Sequence, residues 1–341
     1  MRSPRGSTNE LERIRHGRFT ADAPRRLGPR MNAILPAGPI PGFRSETISV
    51  NEIRLHYSIG GDPDGQPAIL WHGFLSTGFA WRDVAPALAG AGLAVLVPDM
   101  RGFGDSDKPD GDDGYDACSL AEECRALVAQ IGFGRGRPFL LAAHDMGALP
   151  ALIWAADHEK EVSGLLYVEA PVMLGGVLQK VFEYRPETMA KGSMWWWLLP
   201  LAPGVPEALI VGHERAFLDW FYQGEATVRH EAFTPAVIDE YLRTFVGREG
   251  VLGSMGIYRA AFMSIDQTEP LMQRQVTVPV VALGGERPRR QGRRDGEDGR
   301  RTSRRARPQG LRPLHAGGAA RRAHPPHPCP RPQSQFLKVS S

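Results

Sequence analysis

The sequence predicts an α/β protein built on a mostly parallel, doubly wound sheet with helices on both faces. Between residues 45 and 168, short apolar runs typical of buried strands alternate with segments of helical spacing, the pattern of parallel strands joined by helices. The strand predicted at 139–143 leads almost directly into a helix predicted at 147–156. From 171 to about 268 the spacing is helical throughout, and the next strand pattern is at 278–283.

The predicted elements follow one another in a simple order. Residues 45–50 and 53–59 alternate as two strands around Asn51-Glu52, which predicts a hairpin. The other elements before the long helical stretch are strands at 68–71, 93–97, 139–143 and 164–168 and helices at 79–90, 120–131 and 147–156. The core domain is therefore expected at 41–170 and 269–286, with a helical lid at 171–268 inserted after the strand that ends at Glu169.

The turn around Asp145 organises the predicted site. Ala143 lies two residues before it, and Gly147 and Ala148 lie two and three residues after it. A strand that turns sharply into a helix has room only for small side chains at these positions, and it pushes the residue at its apex into the open. A carboxylate there can attack carbon and form an ester. The alternative is an ordinary surface turn, in which Asp is also common.

Both ends of the chain are basic, although the net charge is only +3. Residues 1–30 contain eight Arg against three acidic residues, and residues 287–341 contain 14 Arg and one Lys against three. The middle must therefore be acidic. Residues 1–40 and 287–341 lack apolar periodicity and are predicted to be disordered. Basic tails can bind polyanions without sequence preference, but no specific nucleic-acid partner is expected.

The remaining composition predicts a cytoplasmic protein without cofactor or metal. The three cysteines, Cys118, Cys124 and Cys329, form no paired framework and have no metal-binding spacing, which favours a reducing compartment. No apolar run is long enough to cross a bilayer, and the Arg-rich start lacks the apolar centre of a signal peptide.

Four motifs together resemble one enzyme family. They are His-Gly-Phe at 72–74, Asp-Met-Arg-Gly-Phe-Gly-Asp-Ser-Asp-Lys-Pro at 99–109, His-Asp-Met-Gly at 144–147 and Tyr-Val-Glu-Ala-Pro at 167–171. In this order and spacing they resemble the α/β-hydrolases with an Asp nucleophile, the epoxide hydrolases and haloalkane dehalogenases. The resemblance covers residues 40–286 and implies the α/β-hydrolase fold and an apolar small-molecule substrate.

The resemblance also implies a role for several residues. Asp145 would be the nucleophile, and Glu169 would orient the histidine that activates water against the ester. The backbone N–H groups of Phe74 and Met146 would form the oxyanion hole. Leu75 departs from the His-Gly-x-Pro pattern often found in this loop. His72 and His144 are interpreted as structural.

Residues of the predicted lid indicate whether the leaving group is an epoxide oxygen or a halide. Tyr258 matches the late-lid tyrosine that protonates an epoxide oxygen in the family. The early-lid partner, Tyr or His, would fall at Trp196, whose indole only donates a hydrogen bond. Trp197 could offer its N–H to a halide, although packing in the lid core is the alternative for these tryptophans. The absence of Arg after the nucleophile, where Met146 and Leu149 stand, disfavours an anionic haloacid. Epoxide opening is therefore the favoured reaction, and displacement of a halide remains the alternative.

The general-base histidine is missing from its expected context. It should follow one more strand near the C-terminus, but the sequence offers only His315, His324 and His327 there, and residues 287–335 contain no Val, Ile, Phe, Tyr or Trp. This abrupt change is typical of a frameshift that removes the last strand, the last helix and the base. We therefore expect an impaired epoxide hydrolase; the alternatives are a haloalkane dehalogenase, a non-catalytic ligand-binding protein of the same fold, and polyanion binding by the tails.

Overall fold

The computed structural model describes residues 40–170, 195–225, 227, 229–274 and 276–285. In these residues seven strands form one sheet in the order β1-β2-β4-β3-β5-β6-β7. The strands are β1 Arg44–Val50, β2 Ile53–Gly61, β3 Pro67–Trp71, β4 Ala94–Pro98, β5 Phe139–His144, β6 Val162–Val168 and β7 Val280–Leu283. The pairs from β4 through β7 are parallel, and β2 pairs antiparallel with β1 and β4. The predicted fold class is confirmed.

The predicted hairpin is formed by β1 and β2. Asn51 and Glu52 both have positive φ, 47° and 69°. Two such residues make the turn whose twist matches that of the flanking strands. The first strand is exposed along most of its length, whereas β3 and β4 are buried at every position. The continuous apolar runs of β3 and β4 therefore lie in the centre of the sheet, as expected for parallel strands.

The helices fall into two groups. Those that pack on the sheet are α1 Val84–Gly90, α2 Ala117–Gln130 and α3 Ala148–Asp157. The described residues between β6 and β7, which we call the helical insertion, contain α4 Trp195–Leu198, α5 Val205–Ile210, α6 Glu214–Trp220, α7 Pro235–Phe245, α8 Gly247–Arg259 and α9 Ala261–Thr268. A π-helical turn, Phe221–Glu225, follows α6 directly.

The two faces of the sheet bury different sets of side chains. Leu70, Val95 and Val97 pack with Ala85 of α1 in the smaller core. The alternate residues of the same strands, with α2 and α3, form the larger core that extends into the helical insertion. Alternation along each strand thus separates the two layers, as in a doubly wound sheet. Ile40 also belongs to the smaller core and is only 2% exposed. The prediction of disorder through residue 40 is therefore wrong at that residue, because its side chain is apolar and packed.

Several predictions concern residues outside the described part of the chain. They are the disordered extension at 1–39, the start of the lid at 171–194, and the tail from 286 onward with His315, His324 and His327. Among the described cysteines, Cys124 is free and buried. No helix in the described ranges combines the length and apolar character needed to cross a membrane.

The last described strand is an exposed, apolar sheet edge. The side chains of Val281 and Leu283 in β7 are 57% and 52% exposed. A bare apolar edge promotes pairing with other chains. We expect Val281→Lys to reduce aggregation severalfold in light scattering while changing the free energy of unfolding by no more than about 0.5 kcal/mol. Leu209→Lys, at a 61% exposed position on α5, adds the same charge away from the edge. Equal improvement by both variants would argue against the edge.

Candidate active site

The turn after β5 has the geometry that its small residues predict. Asp145 opens a single 3-10 turn, Asp145–Gly147, that leads straight into α3. Its φ is +52°, a conformation that costs free energy for a residue with a Cβ atom. A Cβ at Gly147 would lie 2.1 Å from the carbonyl oxygen of His72. The turn is thus as tight as expected, and only glycine fits at its third position.

One oxygen of the Asp145 carboxylate is held by the loop after β3. The backbone N–H of Phe74 donates to Asp145 Oδ1 at 2.8 Å. A Cβ at Gly73 would lie 2.4 Å from the Cβ of Asp145, so glycine is required for this close approach. The structure therefore brings together Asp145 and the first predicted oxyanion donor. The second predicted donor, Met146, is buried directly after Asp145, and its role stays a prediction.

His72 has the structural role expected of it. The ring is fully buried, donates from Nδ1 to the Gly73 carbonyl at 2.9 Å and accepts at Nε2 from the Met100 N–H at 3.0 Å. Burial lowers the pKa of His72, so the neutral ring is favoured. Both nitrogens are engaged by backbone, and the histidine therefore braces the loop that carries Phe74.

A group of aromatic rings from the helical insertion covers this loop. The ring of Phe74 lies 4.6 Å from that of Tyr258 and 6.0 Å from that of Trp196, measured between centroids. Trp197 is buried, with its ring 5.9 Å from Tyr258. Phe221 contacts both Phe74 and Trp196. The predicted pocket residues Trp196, Trp197 and Tyr258 are thus neighbours of one another, and Trp196 and Tyr258 also lie against Phe74.

The hydroxyl of Tyr258 is buried among these aromatic rings without a hydrogen-bond partner among the described residues. The side chain is 2% exposed. An unpaired buried hydroxyl costs free energy. Burial, followed by the negative charge of Asp145, raises the pKa of Tyr258 well above its usual value. The hydroxyl therefore stays protonated.

Glu169 lies where the sequence places it, at the carboxyl end of β6. Its φ is +51°, its side chain is exposed, and its backbone N–H donates to the Leu283 carbonyl at 2.8 Å. The Gly285 N–H donates to its carboxylate. These contacts hold Glu169 at the edge between β6 and β7. No histidine was assigned as the base that Glu169 would orient, and His315, His324 and His327 lie outside the described residues, so the catalytic role of Glu169 remains a prediction.

A charged cluster joins the core to the helical insertion. His56 Nδ1 donates to Asp99 at 2.7 Å, and Arg243 of α7 donates twice to Asp105, at 2.8 and 2.6 Å. Burial opposes protonation of His56, but the hydrogen bond and charge of Asp99 outweigh it and raise its pKa. His56, Asp99 and Asp105 have the ligand types of a metal site, with atoms within 4.8 Å of one another. These hydrogen bonds already account for the cluster without a metal.

Comparison with known proteins places the chain in a family. A family model described as the alpha/beta hydrolase fold matches residues 67–194. The soluble epoxide hydrolase of Corynebacterium is 34% identical over 241 residues, which cover 69% of this chain and 79% of the relative. The chain belongs to the α/β-hydrolase family.

Two further known proteins are similar to this chain. The fluoroacetate dehalogenase of Burkholderia is 27% identical over 249 residues, covering 72% of this chain and 78% of the relative. The crystal structure of Cfl2 from Burkholderia cenocepacia matches with 33% identity and a TM-score of 0.64, covering 71% of this chain and 80% of that one. The resemblance inferred from the motifs is confirmed. The prediction that this protein is a hydrolase is confirmed as well.

One residue of the site was not recognised from the sequence of this α/β hydrolase. Tyr222, in the π-helical turn, donates from its hydroxyl to the Leu75 carbonyl at 2.6 Å. The two residues are 147 positions apart, and a tyrosine inside an apolar helical run is most simply interpreted as core. The departure of Leu75 from the family pattern was the only available signal that this loop needs a different support.

Proposed function

We propose that this hydrolase acts on small apolar epoxides by forming an alkyl ester on Asp145. The observation that carries the proposal is the 2.8 Å hydrogen bond from the Phe74 N–H to Asp145 Oδ1. It fixes one carboxylate oxygen at the apex of the turn and leaves the other for attack on carbon. The buried rings of Trp197 and Tyr258 beside the loop support an apolar substrate.

The first half-reaction uses two side chains. The free carboxylate oxygen of Asp145 attacks an epoxide carbon, so that a new C–O bond forms as the ring C–O bond breaks. The released electron pair stays on the epoxide oxygen, which takes the hydroxyl proton of Tyr258. Water later returns a proton to the tyrosinate. The product is a hydroxyalkyl ester on Asp145.

The second half-reaction is proposed to be impaired. Hydrolysis of the ester needs a water activated by a general base, and Glu169 is proposed to orient that base. After β7 the sequence offers only His315, His324 and His327, in Arg-, Pro- and Gly-rich sequence without a strand pattern. The ester is therefore expected to form and persist.

A haloalkane dehalogenase is the second candidate. The ring centroids of Trp196 and Trp197 lie 6.1 and 5.9 Å from that of Tyr258, and an indole N–H can donate to an anion. Asp145 would attack the halogen-bearing carbon in the same way. The halide would leave with the bonding electron pair and would need no proton. This candidate therefore shares the ester and differs in its use of Tyr258.

Intact-mass spectrometry of the folded protein after incubation with styrene oxide tests the proposal. We expect a mass increase of one epoxide per chain that persists after removal of the reagent, and peptide mapping should place it on Asp145. Circular dichroism establishes that the protein is folded. Folded protein without an adduct, tested also with an alkyl epoxide, would contradict the Asp nucleophile. An adduct at another side chain would contradict it equally.

A further inference from the structure

A second residue of the site besides Asp145 has a strained backbone, and it lies in the loop after β3, residues 72–76, which we call the oxyanion loop. Leu75 directly follows Phe74 and has a φ of +55°. This left-handed conformation costs a residue with a Cβ atom roughly 1 kcal/mol or more. The Leu75 side chain is nevertheless buried. Something must therefore hold the backbone of Leu75 in this conformation.

Tyr222 supplies a contact suited to this task. Its hydroxyl donates to the Leu75 carbonyl at 2.6 Å, and its side chain is 5% exposed. Burial raises the pKa of Tyr222 well above its usual value, so the hydroxyl stays protonated and able to donate. The residue lies in the π-helical turn Phe221–Glu225, and such turns are frequent at functional sites.

The ring of Tyr222 is itself held firmly. It stacks on Phe233 at 4.5 Å and on Tyr241 at 5.3 Å between centroids. Its neighbour Phe221 contacts the ring of Phe74. A side chain packed on both sides has little freedom, so its hydroxyl is a fixed point against which the loop can rest.

The start of the loop, at Gly73, is held by hydrogen bonds within the loop itself. Ser76 accepts from the Gly73 N–H at 3.2 Å and donates to the Gly73 carbonyl at 2.9 Å. Gly73 is also tied to the ring of His72. The backbone is therefore fixed on both sides of Phe74. Gly73 before it is held by His72 and Ser76, and Leu75 after it is held by the hydroxyl of Tyr222.

We propose that Tyr222 is a positioning residue for the oxyanion hole. Its hydrogen bond holds Leu75 in the left-handed conformation and thereby keeps the Phe74 N–H directed at Asp145 Oδ1. The helical insertion thus supports the orientation of the nucleophile as well as covering it. This inference rests on the proposed function, because its effect is on attack by Asp145.

Tyr222→Phe tests the inference through the rate of ester formation. Removing one hydroxyl should lower the limiting rate constant of adduct formation with styrene oxide about 10-fold or more, because misplaced catalytic donors cost at least this much. The styrene oxide concentration at half-maximal rate should not change, since the aromatic rings remain. Intact mass against time gives both quantities. The control is Tyr241→Phe, which removes a buried hydroxyl beside Arg82 from the same stack and should leave the rate unchanged.

Rescue by Leu75→Gly separates positioning from simple packing. Glycine adopts positive φ at no steric cost. The double variant Tyr222→Phe/Leu75→Gly should therefore recover to within about 3-fold of the wild-type rate. Wild-type protein that forms no adduct would refute the proposed function itself. Adduct formation at an unchanged rate in Tyr222→Phe would overturn the inference alone. Failure of the double variant to recover, with folding verified by its Tm, would also overturn it.

Discussion

Asp145→Asn is expected to abolish adduct formation with styrene oxide, lowering its rate by about 10⁴-fold or more. The amide has nearly the shape of the carboxylate, so the hydrogen bond from the Phe74 N–H to the side-chain oxygen can be kept. It lacks the negative charge and is a poor nucleophile, so attack on carbon fails. Intact mass after prolonged incubation measures the loss, and circular dichroism verifies that the variant is folded.

The same variant separates an enzyme from a binding protein on this fold. A binding protein would keep its affinity for an apolar ligand in Asp145→Asn, and its wild-type form would gain no covalent mass. Asp83→Asn is the matched control, because the Asp83 side chain is 84% exposed and lies outside the site. Adduct formation at the wild-type rate in Asp145→Asn would contradict the assignment of the nucleophile. Loss of the adduct in both variants would point to damage unrelated to Asp145.

The positions of the strands along the chain and the turn at Asp145 could be predicted because both depend on local sequence. Apolar runs of strand length are visible directly, and their alternation with helices leaves few topologies. The small residues around Asp145 have a steric cause that the structure shows at Gly147, where a Cβ would lie 2.1 Å from a backbone oxygen. Short-range patterns therefore predicted the fold and the apex of the site.

The supports of the site could not be predicted because they join distant segments. The left-handed conformation of Leu75 and its hydrogen bond from Tyr222 depend on how the helical insertion packs over the loop. The stacking of Trp196 on Phe74 has the same origin. No periodicity in the sequence specifies such contacts. The resemblance suggested that Trp196 and Tyr258 belong to the site, and only the structure shows which loop they cover.

Tyr258→Phe is expected to lower activity and raise stability together. Loss of the proposed proton donor should slow epoxide opening by about 10²- to 10⁴-fold. The hydroxyl is buried without a partner among the described residues, so its removal should increase the free energy of unfolding by about 1 kcal/mol or more. Adduct formation by intact mass and denaturant unfolding measure the two effects. Tyr115→Phe is the control: it removes a hydroxyl that donates to the Pro109 carbonyl at 2.8 Å, so it should lower stability and leave the rate unchanged.

The leaving group decides how far the rate of Tyr258→Phe falls. An epoxide oxygen must be protonated as the ring opens, whereas a halide leaves as a stable anion. The variant should therefore slow adduct formation with styrene oxide strongly and with a primary bromoalkane only a few-fold. The raised pKa of Tyr258 keeps the phenol protonated, so the wild-type rate should not decline through its ionisation as the pH rises from 7 toward 10. An equal loss with both reagents would contradict the role of Tyr258 as the acid, because only one of the two leaving groups requires a proton.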